Sequence, residues 1–145
     1  MAGELTTIRD GIETRLKTIT GLQVYDHEPD ATTVTPAASI SLAGVTYNET
    51  FEGASTAGDR TYRWVITLRL SGLIPEEQWQ ELDSYIAPTG SKSILAAIDA
   101  DDTLGGAVEY SVMTPGEPIE VTDRESRADG WYYVMEFPLE TYVSG

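Results

Sequence analysis

Thr61-Tyr62-Arg63-Trp64-Val65-Ile66-Thr67-Leu68-Arg69-Leu70 decides how this chain folds. Tyr62, Trp64, Ile66, Leu68 and Leu70 fall on one parity, and Thr61, Arg63, Val65, Thr67 and Arg69 on the other. Side chains alternate across a strand, so the stretch predicts a strand with one apolar face and one mostly polar face. Its β-branched, aromatic and long residues suit a pleated, half-buried surface. It reads as the central strand of a sheet with one covered face, and the helices that follow it are the available cover.

Upstream, Leu5, Ile8, Ile12, Leu16 and Ile19 recur at helical spacing, which predicts an amphipathic helix ending near Gly21. A short strand is expected at 22–25 and a second at 38–45, with Ala38, Ile40 and Leu42 facing in and Ser39 and Ser41 facing out. Residues 46–60 form a long polar segment between two strands, predicting a hairpin with an extended tip, in which Tyr47 and Phe51 have no local core to join. Downstream, Pro75-Glu76-Glu77 suits a helix start, and Trp79, Leu82 and Ile86 supply its apolar stripe. A third helix spans 91–100, with Ile94, Leu95 and Ile98 inward. A fourth strand is expected at 107–113, with Val108, Tyr110 and Val112 on one face. Residues 114–130 read as a second long polar loop. The last strand starts at Trp131, with Trp131, Tyr133, Met135, Phe137 and Leu139 on one face, and Pro138 marks an edge or bulge. The expected fold is α+β in a single domain over 1–145: a mixed, mainly antiparallel sheet of four to five strands, helices packed on one face, and two long projecting loops.

The chain has 145 residues, enough for one core without staples, and no cysteine. No apolar run is long enough to span a bilayer. The opening Met-Ala-Gly-Glu-Leu lacks the pattern of a secretory signal, so use inside the cell, or in a particle assembled there, is expected. Nine Lys and Arg stand against 24 Asp and Glu, a formal charge of −15. Nucleic-acid binding draws on Lys and Arg meeting phosphates, so this surface disfavours it.

Catalytic and metal motifs fail one by one. The single histidine, in Asp26-His27-Glu28, sits before Pro29 in a turn with no helical ligand pair. Asp99, Asp101 and Asp102 resemble the start of a calcium loop, but that loop needs Gly at its sixth position and Glu at its twelfth, where this chain has Leu104 and Tyr110. No base lies beside a Ser or Thr in a recognisable arrangement, and the glycines at 53, 58, 105 and 106 lack phosphate-loop spacing. Trp64, Trp79, Trp131 and Tyr133 sit at core-facing parity. No enzyme, cofactor or metal is expected.

Leu5-Thr6-Thr7-Ile8-Arg9-Asp10-Gly11-Ile12-Glu13-Thr14-Arg15-Leu16, with Ile19-Thr20-Gly21-Leu22-Gln23-Val24-Tyr25, resembles the start of tail terminator proteins of long-tailed phages of the siphophage type. Lys92-Ser93-Ile94-Leu95-Ala96-Ala97-Ile98, the following Asp101, Asp102 and Thr103-Leu104-Gly105-Gly106, and the closing strand at 132–142 are similar too. The resemblance implies an α+β structural virion protein that forms a ring, usually a hexamer, at the head-proximal end of the tail tube. Such a ring ends tube polymerisation and offers a surface for head joining. Implied partners are further copies of the chain, the tail tube protein and a head completion or connector protein. The genome would pass through the lumen without specific binding, with no membrane involved. The implied location is the virion tail or neck, assembled in the host cytoplasm. Projecting loops suit such contacts, and aromatic and Arg residues dominate interfaces. The candidate assembly contacts are therefore Tyr47, Phe51, Arg60, Arg124 and Arg127. A head–tail connector or stopper and, in a different class, an acidic DNA-mimic inhibitor are the alternatives.

Overall fold

In the computed structural model, strand β3 (Arg60–Ser71) contains the stretch 61–70, and its apolar parity floors the core. Tyr62, Trp64, Ile66, Leu68 and Leu70 are all buried. The structure describes residues 3–25, 36–47, 59–71, 75–114, 118–127 and 130–143, with side chains described at all of these except 71–78 and 120–133. Strand β2 (Ala37–Tyr47) and strand β6 (Gly130–Val143) flank β3, both antiparallel to it. Strand β1 (Gln23–Tyr25) adds to β2 in parallel. On the far side of β6, strands β4 (Tyr110–Met113) and β5 (Glu120–Arg127) pair one after the other, both antiparallel. The order is β1-β2-β3-β6-β4, with β5 also on β6. The fold is α+β with a mixed, mainly antiparallel sheet.

Among the described residues, three helices cover one face: α1 (Glu4–Leu16), α2 (Pro75–Ile86) and α3 (Ile94–Asp99). Ile8, Ile12 and Leu16 of α1 have no exposed surface and join Leu82, Tyr85, Ile94 and Ile98 over Ile66, Leu68, Met135 and Phe137. Ser93 caps α3, its hydroxyl accepting from the Ala96 N–H at 3.0 Å while donating to the Ala87 carbonyl just past α2. One residue thus joins two helices.

Several expectations need correction. The segment 114–130 is not a projecting loop, because β5 fills its second half and makes a sixth strand. β5 reads Glu-Val-Thr-Asp-Arg-Glu-Ser-Arg, with no apolar alternation. It exists because it hairpins onto β6, Arg127 pairing with Gly130. Pro138 is not at an end of the sheet but paired with Val65 inside β6. Its carbonyl accepts from the Thr114 N–H at 2.9 Å, so its N–H-less side faces the β4 edge. There the missing donor stops β4 at Met113 without costing β3 a bond.

On α2 the buried stripe is Leu82 and Tyr85, and Trp79 is 62% exposed. The helix is rolled so that Tyr85, not Trp79, enters the core. On β4, Tyr110 and Val112 face water and Ser111 is buried, since register sets Ser111 opposite the fully buried Thr141. On β2, a bulge follows Leu42, and Leu42 is exposed although its partner Trp64 on β3 is buried. Ser39 faces away from the helices as expected, but it is buried.

Candidate functional site

Tyr47 ends β2 and Arg60 begins β3, and the two are directly opposed across the strands. Tyr47 is 70% exposed. Leu42 and Val45, registered with Trp64 and Tyr62 on the helix-side face, are 41% and 40% exposed. The helical cover reaches Tyr62 and Trp64 on β3 but not their partners on β2, so β2 presents an apolar strip to solvent. Residues 48–58, which include Phe51, lie outside the described residues.

Arg60 is engaged by its own fold. Its Nε donates to Glu4 Oε2 at 2.8 Å and lies 3.0 Å from the Tyr62 hydroxyl, and its Nη2 donates to the other Glu4 oxygen. The Tyr62 hydroxyl also donates to Glu4. The guanidinium, helped by Tyr62, holds the Glu4 carboxyl below the ordinary carboxylate range against the opposing effect of burial. Glu4 in turn pushes Arg60 further up. Burial, then the hydrogen bond to Glu4, raises Tyr62 against the opposing effect of Arg60. This cluster pins the first turn of α1 to the start of β3, opposite the end of β2.

Arg124 and Arg127 lie in β5, with their side chains outside the described residues. The structure therefore separates the candidates. Arg60 pairs with Val143 at one end of the sheet, whereas Arg127 pairs with Gly130 at the other. Thirteen residue steps of β6 separate these ends, roughly 40 Å at strand rise. Neither a family model nor a curated protein matches the chain. No helix among the described residues is long and apolar enough to cross a membrane.

The face of the sheet away from the helices carries a second feature that sequence reasoning missed. Gly44, Val65 and Pro138 floor a depression of about 260 Å³, with Arg63, Thr46 and Thr114 among its lining residues. Beside it Tyr110 and Tyr142 stack across β4 and β6, ring centroids 5.3 Å apart and planes 16° apart. The Tyr142 hydroxyl donates to Asp59 at 2.9 Å, and this bond, burial and the neighbouring charges of Asp59 and Glu109 raise the phenol. Only the register of β4 against β6 brings these rings together, so linear spacing held no signal for the pair.

The acidic turn after α3 has a structural task. Asp101 accepts from the Thr103 hydroxyl at 2.7 Å and from the Gly105 N–H at 2.9 Å, which lowers its carboxyl. It thereby fixes a turn in which Leu104, Gly105 and Gly106 all have positive φ. Among the described residues no group of three His, Cys, Asp or Glu could hold a metal ion, and His27 lies outside them.

Proposed function

We propose that this chain is a structural virion protein. Its copies close into a ring on the head-proximal end of a phage tail tube, end tube growth and present a joining surface to the head. What supports the reading is a pair of candidate contact regions at opposite ends of one long sheet. One is the exposed strip Leu42, Val45 and Tyr47, and the other is the β5–β6 hairpin end with Arg127. A protein that stops polymerisation needs one surface that matches the growing end and a different one that does not. An apolar strip left to water on a hairpin arm also suits a subunit better than a lone copy. The charge of −15 repels DNA, so a genome would slide through a lumen lined by such subunits without adhering.

The deciding experiment is electron microscopy of tails from a phage lacking this chain, together with the solution mass of the purified protein. Tails of overlong, variable length unattached to heads are the expected result, with an annulus in the purified sample. Uniform tails joined to capsids would overturn the reading.

A further inference from the structure

We infer that the β4 edge, on the face opposite the helices, docks a basic segment of a partner protein, with an arginine or lysine side chain seated against the Tyr110–Tyr142 stack. Two stacked rings occupy each other on one side only, and Tyr110, on an edge strand, is 46% exposed with Val112 exposed beside it. An open tyrosine face attracts a cation through its ring quadrupole. The surroundings select for positive charge. Glu109 is exposed next to Tyr110, and Asp59 holds Tyr142. Glu140, opposite Val112 by register, shares the face that Tyr110 and Val112 present. Arg63, opposite Glu140, is the cation that register places nearest on this face among the described residues. A second copy, itself carrying −15, is a poorer match than a basic partner. The inference is independent of ring formation.

The test is a titration of ¹⁵N-labelled protein with a tetra-arginine amide peptide at about 0.15 M salt, where exposed charges are screened beyond about 8 Å. Backbone shifts should cluster at Glu109, Tyr110 and Val112 and saturate together. Tyr110→Phe should bind as the parent does, and Tyr110→Leu should bind roughly two- to fivefold more weakly with an unchanged spectrum elsewhere. Val112→Lys, a surface change, should weaken binding further even if Tyr110→Leu folds poorly. Shifts scattered over all acidic surfaces, or undiminished binding by both Tyr110→Leu and Val112→Lys, would overturn the assignment. So would a free protein whose oligomer falls apart on Tyr110→Leu, since the edge would then belong to another copy.

Discussion

Gly11 shows how a single position can be closed to change. A Cβ there would lie 2.8 Å from both the carbonyl oxygen and the Cβ of Leu104. Leu104 cannot yield easily, because it is buried at φ 52° in the turn that Asp101 clamps. Alanine normally strengthens a helix interior by up to about 1 kcal/mol over glycine. Here the clash should outweigh that gain, so Gly11→Ala is expected to destabilise by roughly 1–3 kcal/mol in urea unfolding. Glu4 carries a different kind of sensitivity. Its carboxyl titrates lower in the fold than in the open chain, so its contribution is present above the ordinary glutamate value of about 4.3. That contribution is lost as pH falls through the lowered folded value. Glu4→Gln should therefore cost something under about 1 kcal/mol at neutral pH, the cluster being partly exposed, and progressively less as the medium is made more acidic than the lowered folded value. Unfolding curves of parent and variant at neutral and acid pH would show whether the gap closes on the acid side.

Among the elements, legibility tracks how strongly burial imprints a period. β3 and α1 were plain because each buries a full stripe, and the α+β layering followed from them. α2 misled because Trp79, Leu82, Tyr85 and Ile86 are all bulky, and the choice of stripe rests on how the helix rolls against α3. β5 was invisible because an edge strand with polar residues carries no alternating burial. Its one cue was Asp129-Gly130, a dipeptide common at tight hairpin turns, just before the last strand. The Tyr110–Tyr142 stack was out of reach because it depends on register across a gap of 31 intervening residues. Local capping is easier to read, and Ser93 makes it testable. Its side chain serves both the Ala96 N–H and the Ala87 carbonyl in a buried place. Ser93→Ala should cost about 1–2 kcal/mol by denaturant unfolding. A loss of only a few tenths would mean that water replaces both bonds.

For the whole molecule, association has to overcome a charge of −15 on every copy. On the proposed reading, the apolar strip at the hairpin arm supplies the compensating attraction. Screening shortens the reach of surface charge from about 30 Å at 0.01 M salt to a few ångströms near 1 M, while apolar burial is not weakened by the same ions. Solution mass, followed by light scattering after gel filtration, is therefore expected to rise with salt. Tyr47 is the residue on which this should hinge, because it is the most exposed large apolar side chain described and it ends the arm. Tyr47→Ala removes almost no intramolecular packing and should leave folding stability within about 0.5 kcal/mol of the parent. It should nonetheless abolish the salt-driven rise in mass. A variant that assembles as the parent does would place the subunit contact elsewhere on the sheet.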